Sequence, residues 1–129
     1  MMLVLSSNTH NLTQIERFVN DLVIQFKLNE DQHGNILISL TEAVTNAMVH
    51  GNKEDVQKNV CIKSEIHTKW LKITVSDQGD GFNMENVPNP TSEERLCCIG
   101  GRGVFLMQKL CDGLCFKNNG STVELNFRL

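Results

Sequence analysis

The apolar residues of this chain keep one period from residue 15 to 48 and another from residue 60 to 75, and that switch restricts the fold more than any other feature. Ile15, Phe18, Val19, Leu22, Val23 and Phe26 recur every three or four positions, as do Ile36, Leu37, Leu40, Ala43, Val44, Ala47 and Met48. Both runs predict amphipathic helices. Val60, Ile62 and Ile66, then Leu71, Ile73 and Val75, fall on alternate positions instead, and so do Leu114, Phe116, Val123, Leu125 and Phe127. Those runs predict strands with one buried face. An apolar stretch over 2–7 adds a first strand, and Val104, Phe105, Met107, Gln108 and Leu110 suit a third helix. The order is β-α-α-β-β-loop-α-β-β. Its economical packing is an α+β, two-layer α/β sandwich, a mixed and mainly antiparallel sheet with three helices on one face.

Local signals set the boundaries. Thr13 with Glu16, and Asn29 with Gln32, have the spacing of a helix-start capping box, and Glu30 and Asp31 suit the positive end of a helix. Gly51 and Asn52 should end the second helix near His50. His67, Thr68 and Lys69 join two strands as a hairpin, and Asn118-Asn119-Gly120 is a strong turn signal. Residues 82–100 hold both prolines and no clear period, which reads as a lid-like loop inside one domain spanning 1–129. The 129 residues are 40% hydrophobic, enough for a real core. The net charge of −3 argues against a dedicated nucleic-acid binder. No apolar run nears the ~20 residues of a membrane helix, and the first residues lack the basic segment of a signal peptide. Neither nucleic acid nor membrane is expected as a partner. The five cysteines, Cys61, Cys97, Cys98, Cys111 and Cys115, are odd in number and lack any Cys-x-x-Cys pair. They read as reduced thiols in a cytoplasmic setting, without a zinc site.

Three polar motifs interrupt this apolar frame. Glu42, Asn46 and His50 are spaced four apart, so together with Ser39 they form a polar stripe on the second helix. An amide can give Mg²⁺ one neutral oxygen without adding charge beside phosphates, and a carboxylate one turn away can accept a proton from a hydroxyl or water. His50 suits closing the helix or orienting Asn46. The second motif is Asp77-x-Gly79-x-Gly81, at the end of the strand that holds Leu71, Ile73 and Val75. A carboxylate there can accept a hydrogen bond from an exocyclic amine such as that of adenine, and glycines let backbone approach a flat base. The third is Gly100-Gly101-Arg102-Gly103, opening a helix whose free N–H groups suit phosphate, with Arg102 able to reach a phosphate or a partner protein. Thr122, just past the last turn, can place a hydroxyl near the base. Each motif alone has an ordinary reading: a surface acid and amide, an Asp-Gly turn, a Gly-rich loop, a strand threonine.

Taken in order, the motifs resemble the GHKL ATPase superfamily with its Bergerat nucleotide-binding fold. Glu42-Ala43-Val44-Thr45-Asn46-Ala47 with His50-Gly51 resembles its N box, Asp77-Gln78-Gly79-Asp80-Gly81-Phe82 its G1 box, and Gly101-Arg102-Gly103 its G2 box. Gly120-Ser121-Thr122-Val123 resembles the closing strand that carries a threonine near adenine. Within the superfamily the short form is similar to the anti-sigma-factor serine/threonine kinases of the RsbW/SpoIIAB type. The resemblance implies ATP and Mg²⁺ as cofactors, Glu42 as catalytic base and Asn46 as the Mg²⁺ ligand. It implies Asp77 as the adenine-recognising group, with Gly79, Gly81, Gly101 and Gly103 lining the nucleotide. It also implies an anti-anti-sigma protein of the STAS type as substrate, a sigma factor as a second partner, and a homodimer. Two further readings stay open: an ATP/ADP-gated, non-catalytic module that sequesters a sigma factor or other regulator, and a stand-alone domain that phosphorylates histidine or aspartate.

Overall fold

The computed structural model describes residues 1–79 and 102–129. Strand β1 (Met2–Ser6) leads through a 3-10 turn into helix α1 (Thr13–Phe26), followed by helix α2 (Glu30–Asn46). Strands β2 (Asn59–His67) and β3 (Trp70–Ser76) come next, then helix α3 (Arg102–Leu110) and strands β4 (Gly113–Lys117) and β5 (Thr122–Arg128). The five strands form one sheet in the order β1-β2-β3-β5-β4. Every pairing among them is antiparallel, where the sequence reading allows a mixed sheet.

Alternation puts Leu5, Val60, Ile62, Leu71, Ile73, Val75, Val123, Leu125 and Phe127 on the covered face, each at most 7% exposed. Ile15, Phe18, Val19 and Leu22 of α1 and Ile36, Leu40, Ala43 and Val44 of α2 meet them from the helix layer. A fully buried side chain of this size contributes about 1.5–3 kcal/mol, so this shared core is what fixes the layers. Helix α2 lies between α1 and α3 and packs over β3 and β5. It is the element on which the candidate site is built. Ile66 continues the apolar alternation of β2 yet is 37% exposed, one residue before the end of the strand.

The two expected capping boxes part company. At α2 the box forms in full: Asn29 Oδ1 accepts from the Gln32 N–H at 2.8 Å, and Gln32 Oε1 accepts from the Asn29 N–H at 2.9 Å. At α1 it does not form. The 3-10 turn Thr9–Leu12 runs straight into the helix, Leu12 holds helical angles at the cap position, and Thr13 Oγ1 donates backwards to the His10 carbonyl at 3.2 Å. With no extended residue before the helix, the geometry of a capping box is missing.

Candidate functional site

Helix α2 presents Glu42 and Asn46 half-exposed, beside buried Ala43, Val44 and, just past the helix end, Ala47. Neither side chain makes a hydrogen bond or ion pair with any described residue. Polar side chains of this kind, carried on a helix and left without partners among the described residues, are available to a ligand. Ser39 does not belong to the same stripe. It occupies the i+3 position after buried Ile36 and is 0% exposed, and its Oγ is without a hydrogen-bond partner. It faces Cys111, whose thiol burial pushes up to about 11 while the nearby Ser39 hydroxyl acts the other way. His50 also leaves the stripe. The helix widens into a π turn over Ala47–Gly51, so the four-residue stacking ends at Asn46 and His50 is exposed.

The π turn delivers Gly51 against Asp77. A Cβ on Gly51 would collide with the Asp77 carboxylate, and a Cβ on Gly79 would collide with the Gly51 carbonyl. Two glycines therefore let the end of the helix and the turn after β3 touch through bare backbone. Asp77 is anchored on both sides. Its N–H donates to the Ser121 carbonyl at 2.8 Å, and its Oδ1 accepts from the Gly79 N–H at 2.9 Å. Its Oδ2 has no donor among the described residues. Burial raises the carboxyl above the usual aspartate range, with the Gly79 N–H and the charge of Lys58 opposing. A half-buried carboxylate with one oxygen spoken for and one open is a recognition group for a single N–H donor.

Behind this contact sits Asn52, 1% exposed. Its Oδ1 accepts from the Gln78 N–H at 2.7 Å. Its Nδ2 donates to Ser7 Oγ at 2.8 Å and to the Asn59 carbonyl at 3.0 Å. Ser7 in turn donates to the Lys58 carbonyl at 2.8 Å. Lys53 and Glu54 follow with φ of 54° and 59°, two consecutive non-glycine residues in the left-handed region, each costing about 1–2 kcal/mol. The bonds of Asn52 offset that strain. In the sequence Asn52 reads only as a helix stop, and Gly51 as a helix stop and the last residue of the N-box resemblance. Their contacts to Asp77 and Gln78 lie 26 residues further on, and no local signal announces them.

Thr122 opens β5 opposite Ser76, so it flanks Asp77 across the sheet. It is 9% exposed, and its Oγ1 lies 3.2 Å from Ser76 Oγ and accepts from Asn118 Nδ2 at 3.2 Å. Asp77, Gly79 and Thr122 are thus brought together, with the helix that carries Glu42 and Asn46 seated on the same turn through Gly51. Arg102 and Gly103 open α3, as the Gly-rich motif requires. Gly81, Gly101, Cys97, Cys98 and the loop 82–100 lie outside the described residues. Among the described residues no group of three or more His, Cys, Asp or Glu side chains could cage a metal ion, and no helix is long and apolar enough to cross a membrane.

The arrangement is that of a nucleotide-binding α+β domain: a helix with a free acid and amide, docked on a carboxylate at the end of a central strand. The sequence matches the histidine kinase-like ATPase domain family over residues 5–127, and the chain belongs to that family. It is similar to serine-protein kinase RsbW of Bacillus subtilis, 31% identical over 104 residues, which cover 74% of this chain and 64% of the relative. Serine-protein kinase RsbW of Staphylococcus aureus is 33% identical over 96 residues, 68% of this chain and 60% of the relative. The chain spans less than two thirds of the length of these curated relatives.

Proposed function

We propose that this chain is an ATP-dependent serine/threonine protein kinase that regulates a sigma factor by phosphorylating a STAS-type anti-anti-sigma protein. The observation that carries the reading is the Gly51–Asp77 contact, which makes one continuous site of the helix bearing Glu42 and Asn46 and the open carboxylate after β3. From Glu42 to Gly51 the chain rises roughly 13 Å at helical spacing. That is comparable to the reach of a nucleoside triphosphate from base to terminal phosphate. The likeness to two proteins named serine-protein kinase supports the same reading.

The residues present fit Mg²⁺-ATP. Asn46 offers one neutral oxygen and no charge, and a hard cation completes its shell with water and phosphate oxygens. Asp77 Oδ2 is open for the exocyclic amine of adenine, with Gly79 beside it and the Thr122 hydroxyl behind it. ATP supplies the transferable phosphoryl group and Mg²⁺ the neutralisation of its charge. Glu42, half-exposed and without a partner among the described residues, accepts the hydroxyl proton of the protein substrate. A pure binding module needs no such base, which is why the kinase is preferred to the ATP/ADP-gated reading. Gly81 would let the backbone approach the base, Gly101, Arg102 and Gly103 would line the phosphates, and 82–100 would cover the nucleotide as a lid. The three described cysteines are free thiols, in keeping with a cytoplasmic protein. A homodimer is part of the proposal, and sedimentation of the free chain tests it.

Calorimetry with a non-hydrolysable ATP analogue, with GTP and Mg²⁺-free controls, tests the nucleotide site. Mg²⁺-dependent, adenine-selective binding is expected. Incubation with the STAS-type partner should then yield an acid-stable phosphoester. An acid-labile or base-labile product would instead favour transfer to histidine or aspartate, and changed partner affinity without any product would favour the gated module.

A further inference from the structure

Gln78 stands between the two residues assigned to the base, Asp77 and Gly79, and it is held by a closed ring of hydrogen bonds. The Gln78 N–H donates to Asn52 Oδ1 at 2.7 Å, Asn52 Nδ2 donates to the Asn59 carbonyl at 3.0 Å, and the Asn59 N–H donates to Gln78 Oε1 at 2.6 Å. Each of the three links has at one end a backbone group whose donor or acceptor character is fixed, and two of them hold the Asn52 amide. Turning the Asn52 amide over would set N–H against N–H and oxygen against oxygen, so its orientation is determined. Asn52 is 1% exposed, while Gln78 and Asn59 are exposed. The buried corner of the ring therefore belongs to the end of the α2 segment, and the exposed corners to the start of β2 and the turn after β3. Asn52 is bonded a third time, to Ser7 after β1.

We propose that Asn52 is a positioning residue for nucleotide recognition: through the Asn52–Asn59–Gln78 ring it holds the Asp77–Gly79 turn against the helix end and so fixes where the Asp77 carboxylate points. The proposal rests on the reading of Asp77 as the base-recognising group. The helix stop alone does not require an asparagine side chain, because the Asn52 N–H already closes the turn onto the Ala47 carbonyl at 2.8 Å. What the side chain adds is directed away from its own helix, toward the turn at 77–79 and the β1 end. Without it the Gln78 N–H and the Asn59 carbonyl lose their partner, and the Gly51–Asp77 contact loses the support behind it. Asp77 then turns toward water, where its open oxygen no longer meets one donor at one angle.

The test uses the full chain with Asn52→Ala, Gln78→Ala and, as a control of comparable destabilisation, Asn29→Ala, which breaks the capping box at the far end of α2. Calorimetry with Mg²⁺ and non-hydrolysable ATP and GTP analogues reads affinity and base selectivity, and NMR titration of the Asp77 carboxyl reads its surroundings in the nucleotide-free chain. Asn52→Ala should weaken the ATP analogue about tenfold, the worth of one well-made hydrogen bond to a charged or fixed group, and narrow its preference over the GTP analogue. Gln78→Ala should act in the same direction by a smaller factor. Both should move the Asp77 titration toward the ordinary aspartate range as the turn hydrates. Asn29→Ala should lower the melting temperature and change neither readout. If Asn52→Ala lowers only the melting temperature, or Asn29→Ala disturbs affinity as much, the ring is merely structural and the proposal is overturned. Should Asn52→Ala fail to fold, the exposed Gln78→Ala decides alone: unchanged titration and unchanged selectivity refute it. A wild-type chain that binds neither nucleotide sinks the kinase reading, while the Asp77 titration still judges the role of Asn52.

Discussion

The two ends of the candidate site are built on opposite principles. At the helix end, Glu42 and Asn46 are half-exposed and bond to no described residue. At the strand end, Asp77, Asn52 and Thr122 are half-buried or buried, and each has at least two hydrogen bonds to described neighbours. In the nucleotide reading this contrast has a physical sense. A base is flat and rigid, so recognising it rewards a carboxylate fixed in advance, because ordering is then complete before binding. Phosphates bring their own charge, cation and water, so groups facing them gain by staying open to rearrangement. The same contrast separates two kinds of mutational effect: loss of chemistry at the helix end, loss of recognition at the strand end.

The largest effect expected is at Glu42. Glu42→Ala should lower phosphoryl transfer roughly 10²–10⁴-fold, the worth of a general base, with affinity for the ATP analogue unchanged within about twofold. Single-turnover transfer alongside calorimetry checks this. Normal transfer would remove Glu42 as the base and break the division of labour between the two ends.

Next is the Gly51–Asp77 contact. Asp77→Ala should weaken adenine nucleotide binding roughly 10–100-fold, since hydrogen bonds to a charged group contribute about 1.5–3 kcal/mol. Gly51→Ala should do similar damage with the carboxylate still present, because its new Cβ collides with Asp77. Overpacking of this kind costs about 1–3 kcal/mol of stability. Nucleotide affinity in Gly51→Ala equal to wild type would show that the two ends do not depend on their contact.

The raised pKa of Asp77 gives the comparison a pH axis. Burial disfavours the charged carboxylate in the folded chain, so the folded pKa lies above the unfolded one. The stability linked to this proton is therefore fully present below the unfolded value and is lost as pH rises through the folded value. Asp77→Asn should accordingly gain stability relative to wild type at neutral pH, and the gap should close as pH falls through the aspartate range. Recognition runs the opposite way. Wild-type affinity for the ATP analogue should fall with acidification, starting at a higher pH than an ordinary aspartate would give. Melting curves and calorimetry over the same pH series check both signs; parallel pH trends for the two proteins would mean Asp77 is not desolvated.

What could be read from the sequence was what depends on near neighbours. The period switch gave the element order and the buried faces, and the Asn29–Gln32 box formed as its spacing implies. The identical Thr13–Glu16 spacing failed because the preceding 3-10 turn supplies no extended residue, which the spacing alone does not encode. Asn46, Asp77 and Thr122 were singled out from motif chemistry, and the fold brings Asp77 and Thr122 together. What stayed illegible was long-range: Gly51 as a landing place for Asp77, Asn52 as the buried corner of a ring, Ser39 drawn into the core. The π turn after Asn46 also carries no sequence mark, and it is what removes His50 from the stripe.

The smallest expected effect sharpens the strand end. Thr122→Val keeps the volume and the β propensity while deleting the hydroxyl that meets Ser76 and Asn118, both at 3.2 Å. Each bond of this kind nets about 0.5–1.5 kcal/mol, and Ser76 and Asn118 are near enough to the surface to find water instead. The melting temperature should drop by about 2–6 °C for a domain of this size. Affinity for the ATP analogue should fall less than about threefold, because the hydroxyl stands behind Asp77 and is already engaged, so what it contributes is alignment. A loss rivalling that of Asp77→Ala would mean that the hydroxyl breaks its present bonds and meets the base directly. The strand end would then be less fixed in advance than its hydrogen bonds imply, and the difference between the two ends would be one of degree.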